Sequence, residues 1–181
     1  MPRSEEPTYR YVGRVPIRFS QFYLGERDHE CPIRPMFKCG LMGIKNGQIK
    51  FTVETRESYA NLVIEAYGEP PAGRDADYQD VVEGSYHCVS GELGLLDWSK
   101  SLIESLAPLP VGSGEYRIRY HVRNTADLAV PEADASPAEC LVQIWPQTWE
   151  EAAEVKITSS SGRFWHPTER LAWPFARTID T

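Results

Sequence analysis

Ten residues, Glu115 to Asn124, constrain this chain most. Tyr116, Ile118, Tyr120 and Val122 recur at period two, and Arg117, Arg119, His121 and Arg123 fill the alternate positions. Strict alternation places one face on a core and the other in water, which is the pattern of an antiparallel strand. The other apolar runs then read as partners of this strand.

Val15 to Leu24 begins the domain. Val15, Ile17 and Phe19 alternate, then Phe22 and Leu24 shift the phase by one, so a bulge or strand end is expected near Ser20. Asn46-Gly47 is a two-residue hairpin signal between 41–44 and 49–55. Ala60 to Tyr67 and Val81 to Ser90 read as strands, with Leu62 and Ile64 turned to the core. Leu93, Leu95 and Leu96 begin a shorter strand. Residues 98–106 read as a helical turn or a loop, and 149–156 as a short amphipathic helix or a last strand. Cys140 to Trp145 is almost unbroken apolar sequence and suits the sheet interior beside 115–124. Seven or eight strands at regular spacing, without a long helix or a repeat, predict an all-β antiparallel β-sandwich of the jelly-roll or immunoglobulin-like kind. The expected organisation is a loose arm over 1–14, the β domain over 15–158, and an aromatic tail over 159–181 that packs on the domain or on a partner.

A chain of 181 residues is long enough to bury a core without disulfide staples. Its apolar runs are too short to span a bilayer. The polar N-terminus lacks an apolar signal segment. The expectation is a cytoplasmic protein whose four cysteines, Cys31, Cys39, Cys88 and Cys140, are reduced.

The net charge of −7 is unevenly spread. Residues 65–104 hold nine acids and two bases, and residues 125–154 hold seven acids and no base. An acidic total argues against non-specific nucleic-acid binding, which needs Lys and Arg to displace counterions from phosphates. Acidic blocks in loops either keep the protein soluble or meet a basic partner.

Motifs for catalysis are thin. His29, Glu30, Cys31 and Cys39 have zinc-ligand chemistry but not the paired spacing of a zinc knuckle. His87 and Cys88 are adjacent on an expected strand and therefore point to opposite faces. Cys140 reads as a buried small apolar residue. Asp75, Asp77 and Asp80 lack the glycine-pivoted loop of a dedicated calcium site. Asp127, Glu132 and Asp134 offer carboxylates for sugar hydrolysis, but nothing selects a pair. Neither a phosphate loop nor a nucleophile elbow occurs. No cofactor or metal is expected. Arg117, Arg119, His121 and Arg123 form a basic stripe that either faces acidic cross-strand neighbours or lines an anion-binding groove.

The order of Phe19-Ser20-Gln21-Phe22, Gly47-Gln48-Ile49-Lys50-Phe51, Ala60 to Ile64, Leu109 to Tyr116 and Cys140 to Pro146 is similar to that of the competence protein J-like nuclease inhibitors and related bacterial immunity proteins. The likeness covers about residues 15–146. It implies a β-sandwich that caps a nuclease and makes no bond of its own. Independently, a nuclease site is basic because it must attract phosphate. Carboxylates on loops would speed encounter with it, and apolar side chains would anchor the contact. The expected partner is therefore a basic protein such as a nuclease toxin. The expected contact residues are Asp75, Asp77, Tyr78, Asp80, Glu83, Trp98, Asp127, Glu132 and Asp134, with the tail tryptophans as further anchors. Two other readings stay open. One is a small jelly-roll enzyme or carbohydrate-binding domain with a groove on Arg117, Arg119 and His121. The other is an assembly domain docking through its tail. The oligomeric state is open.

Overall fold

The computed structural model describes residues 6–26, 40–45, 47–127 and 131–165. Two β-sheets face each other across one core. The six-stranded sheet contains β1 (Tyr9–Pro16), β5 (Tyr59–Ala66), β6 (Asp80–Cys88), β9 (Gly114–Arg123), β10 (Ala138–Pro146) and β11 (Ala153–Ile157). Their order across the sheet is β1-β5-β10-β9-β6-β11. The five-stranded sheet contains β2 (Gln21–Gly25), β3 (Met42–Lys45), β4 (Gln48–Thr52), β7 (Gly94–Leu96) and β8 (Leu102–Ser105), in the order β3-β4-β2-β7-β8. Every pairing is antiparallel except β5 with β10. One short helix, α1 (Ser160–Trp165), follows β11.

The period-two pattern of β9 is explained on its core side. Tyr116, Ile118, Tyr120 and Val122 are all fully buried. Tyr120 meets the opposite sheet, where Phe22 and Phe51 stack at 5.0 Å and Phe51 lies 4.9 Å from the Tyr120 ring. The Tyr120 hydroxyl donates to the Thr52 carbonyl at 3.0 Å, so its polar end is satisfied inside the core. On the same side Tyr86 donates to Glu26 Oε1 at 2.7 Å, and that carboxylate also accepts the Val89 and Ser90 amides. Cys140 is buried beside Tyr120, and burial pushes its thiol up to about 12. It is therefore a neutral packing residue, not a nucleophile.

Several expectations change. Eleven strands form among the described residues, not seven or eight. Residues 9–14, expected as a loose arm, lie in β1, which pairs with β5 from Tyr9↔Ala66 to Pro16↔Tyr59. The alternation there is carried by Tyr9, Tyr11 and Val15 against Arg10, Arg14 and Pro16. The phase shift near Ser20 is a change of sheet. Phe19 and Ser20 both take positive φ, 53° and 55°, in a two-residue turn closed by Gln21 N–H to the Arg18 carbonyl at 3.3 Å. That turn carries the chain from β1 into β2. Residues 102–105 extend as β8 instead of coiling, and 153–157 take the strand alternative. The Asn46-Gly47 hairpin joins β3 and β4 with Lys45 opposite Gln48, although Asn46 itself lies outside the described residues. So do His29, Glu30, Cys31, Cys39 and the tail beyond Trp165.

The shared core sets the stability. Phe51→Ala removes a ring that touches both Phe22 and Tyr120, and should cost about 3–5 kcal/mol. Urea unfolding checks it, with the midpoint falling and the slope unchanged.

Candidate functional site

β5, β10 and β6 run in one direction and β9 in the other. The start of β6, the end of β9 and the start of β10 therefore share one end of the six-stranded sheet. Both acidic segments reach that end. The first forms a 3-10 turn at Asp75–Asp77 and enters β6 at Asp80. The second leaves β9 at Asn124, makes a 3-10 turn at Glu132–Asp134 and enters β10 at Ala138. They are tied where they begin: Asn124 N–H donates to Gln79 Oε1 at 2.8 Å, and Gln79 N–H to the Val122 carbonyl at 3.2 Å. The loop between β4 and β5 joins the same end, with Glu54 N–H donating to Asn124 Oδ1 at 2.7 Å.

Asp77, Glu132 and Asp134 are exposed there, and Asp75 and Tyr78 are half-buried. Two other expected contact residues are not at the surface. Asp80 is 0 % exposed. It accepts the Thr158 and Ser159 amides at 2.9 and 3.0 Å, and the Ser159 hydroxyl, and so fastens the end of β11 to β6. Asp127 is buried and accepts the Ser160 amide at 3.1 Å. Both carboxylates satisfy backbone donors that would otherwise be orphaned, and this internal task removes them from the contact set. Glu83 is spent as well, because it bonds Arg117 Nε at 3.1 Å and Arg119 Nε at 2.5 Å. Trp98 sits at the turn between β7 and β8, edge-on to Phe19 at 5.2 Å.

The basic stripe of β9 is covered over most of its length, with only Arg123 at its end exposed. Arg117 is 2 % exposed and His121 0 %. The reason is topological. β5 ends far from where β6 begins, so the connector 67–79 runs back over the outer face of the sheet. It is pinned at its start, where the Tyr67 hydroxyl donates to Glu65 Oε2 at 2.6 Å and Arg74 reaches Glu65 Oε1 at 3.4 Å. Burial, then the Glu65 bond, pushes the Tyr67 hydroxyl up to about 12. Further along, Asp75 Oδ1 lies 3.3 Å from His121 Nε2, and the Tyr78 ring lies 5.1 Å from the His121 ring. A second connector, 147–152, covers Arg117, whose Nη1 donates to the Glu150 and Glu151 carbonyls at 3.1 and 2.9 Å. The groove expected over Arg117, Arg119 and His121 is therefore filled by the chain itself. The expected acidic cross-strand neighbour is present in Glu83, opposite Arg119.

The residue that the sequence reading missed is Phe19. It is 76 % exposed and held out by the positive-φ turn. The broken alternation marked the turn, but nothing in the pattern said which way the ring points.

These features define an all-β protein of two facing sheets, with acidic turns gathered at one end. No protein-family model matches the chain, and no curated protein matches it. A solved structure described as crocagin biosynthetic gene J is similar, with 12 % sequence identity and a TM-score of 0.49 over 77 % of this chain and 96 % of that one. Among the described residues no group of three or more His, Cys, Asp or Glu side chains is placed to hold a metal ion. Nor is any helix among them long and apolar enough to cross a membrane.

Burial holds His121 at about 4 and nearby Arg119 pushes the same way, against the opposing pull of Asp75. An unfolded chain titrates this histidine near ~6.5. Between those values the unfolded state binds more protons, so stability falls as pH drops from about 6.5 to 4, by on the order of 3 kcal/mol. His121→Gln should remove that limb from a stability–pH profile measured by denaturant unfolding. Arg117→Ala strips a buried cation from Glu83 and frees two carbonyls, and should cost about 3–5 kcal/mol in the same assay.

Proposed function

We propose that this chain is a non-enzymatic binding protein of the immunity-protein or inhibitor type, which neutralises a basic nuclease-type toxin in the cytoplasm. One observation carries the reading. The two acidic turns, Asp75–Asp77 and Glu132–Asp134, far apart in sequence, lie at the same pole of the fold and present Asp77, Glu132 and Asp134 to solvent there. A basic nuclease site that attracts phosphate is the complement of such a surface. Charges so placed act chiefly on encounter rate and orientation. The likeness of the strand pattern to competence protein J-like inhibitors supports the same reading. So does the two-sheet architecture, which we take as a β-sandwich of the jelly-roll or immunoglobulin-like kind. The rival reading, a ligand groove over Arg117, Arg119 and His121, is disfavoured by the two connectors that occupy that face.

The test pairs the purified protein with the product of the adjacent gene. Stoichiometric loss of nuclease activity is expected. Asp77→Lys/Glu132→Lys/Asp134→Lys should lower the association rate at least about tenfold at low salt and flatten its salt dependence, because long-range steering is what those charges supply. Undiminished nuclease activity in excess protein ends the reading.

A further inference from the structure

Beneath the connector 67–79 lies a cluster of polar atoms that are buried without well-formed hydrogen bonds. They are Asp75 Oδ1, Arg119 Nη1 and both ring nitrogens of His121. His121 is 0 % exposed. Its Nε2 comes within 3.3 Å of Asp75 Oδ1, close enough to attract but not aligned as a hydrogen bond. Gly73 closes the cluster, since a Cβ there would stand 3.1 Å from Arg119 Nη1 and from both Asp75 carboxylate oxygens. Buried polar groups left unsatisfied are rare and costly. Four in one place make this a poorly bonded contact between connector and sheet.

The neighbours of His121 decide what a proton would do there. Its cross-strand partners are Val81 and Leu141, both 0 % exposed. Water therefore reaches the ring only if the connector moves. Arg119 and Arg123 flank it along β9, with Glu83 opposite the first on β6 and Glu139 opposite the second on β10. Glu83 bonds Arg117 and Arg119, and Glu139 bonds Asn61. Asp75, its side chain 40 % exposed, is thus the anion that faces the ring directly, with the Tyr78 ring beside it. Burial is the largest influence keeping His121 neutral and Arg119 adds to it, against Asp75 and the Leu141 backbone. Residues 73–78 are lightly held. Arg74 reaches Glu65 at 3.4 Å, and Lys156 Nζ, beside the bulge of edge strand β11, donates to the Asp75 and Tyr78 carbonyls. Gln79 then ties the chain to the sheet through Val122, Asn124 and Thr158.

We propose that residues 73–78 form an acid-released latch: when His121 takes up a proton, the segment lifts off β9 and carries the Asp75–Asp77 turn out of its place while both sheets stay folded. A charged imidazolium beside Arg119 needs water or a full set of acceptors. Lifting the latch admits water for the loss of a few hydrogen bonds, whereas opening the sheet breaks many. Weakly bonded segments open in this way ahead of the rest of a fold. The acidic turn keeps its place only while His121 is neutral. Control of a partner contact by pH rests on the proposed function, but the latch itself does not.

The test is NMR on the full chain without a partner, from about pH 6.5 down to about 4.5, the range in which a solvated histidine charges. The cross-peak between the Tyr78 and His121 rings, which lie 5.1 Å apart, should fade as pH falls, while that between Phe51 and Tyr120, 4.9 Å apart in the core, persists. The Asp77 N–H bonds the Arg74 carbonyl inside the latch. Its protection from hydrogen exchange, corrected for the intrinsic pH dependence of exchange, should fall by up to about tenfold per pH unit. The Ile118 and Tyr120 amides of β9 should change less than about twofold, because the sheet stays closed. His121→Gln should flatten the Asp77 curve. Lys156→Met should lower that curve at every pH and keep its slope, since it loosens the latch without replacing the titrating ring. A flat Asp77 curve in the parent, or an unchanged slope in His121→Gln, overturns the proposal. So does loss of protection at Ile118 and Tyr120 in step with Asp77, which is global unfolding, or undiminished Asp77 protection in Lys156→Met. A partner that fails to bind alters none of these curves, so the latch and the proposed function fail separately.

Discussion

The fork of Glu83 with Arg117 and Arg119 is the interaction on which the outer half of the structure depends. Three charges lie side by side on neighbouring strands of a sheet whose far side is already core. Left open to water they would make an ordinary polar face. Instead the chain twice crosses this face, first with 67–79 and then with 147–152, and each crossing must satisfy what it covers. Arg117 does this with its remaining donors, which reach two carbonyls of the second connector and the Ser85 hydroxyl. A buried charge is tolerated only when its hydrogen-bonding capacity is used in this way. The charged cluster thus fixes where the second connector lies, while Glu65 and the contacts of Asp75 and Tyr78 with His121 hold the first, and with it the place where its acidic turn emerges.

The path of the first connector makes the acidic pole. Because β5 and β6 run the same way in one sheet, the chain between them must return the full length of a strand. The chain bends at Gly68–Glu69, Pro70 and Pro71 suit the extended return, and it turns again at Asp75–Asp77, where Lys156 Nζ donates to the Asp75 carbonyl at 2.8 Å and to the Tyr78 carbonyl at 2.5 Å. The acids of this turn are held against a rigid sheet, so the surface they present is preformed.

Local alternation in the sequence was a sound guide to single strands and a poor one to their surroundings. The core face of β9, the β3–β4 hairpin and the pairing of β10 beside β9 were legible because each depends on neighbouring side chains or on one turn. The burial of Arg117 and His121 was not, since a connector that begins fifty residues upstream covers His121. Asp80 and Asp127 looked like members of acidic loops. They differ from Asp77 only in facing the amides of 158–160, which no spacing rule reveals. At Phe19 the broken phase signalled a change in the backbone, but a bulge and a switch of sheets leave the same mark on a sequence.

The parallel pairing of β5 with β10 bears on how the chain is made. Ala60 and Ala138 lie opposite each other, seventy-eight residues apart. As synthesis proceeds from the N-terminus, β1 can close one side of β5 almost at once, but the other side has no mate until the strand ending at Pro146 has emerged. Throughout that interval an apolar strand bearing Leu62, Val63 and Ile64 keeps an open edge, the arrangement most prone to join a neighbouring chain. The middle of the larger sheet is thus sealed late, before only the β11 edge, and crowded nascent chains are where this protein is most exposed to misassembly.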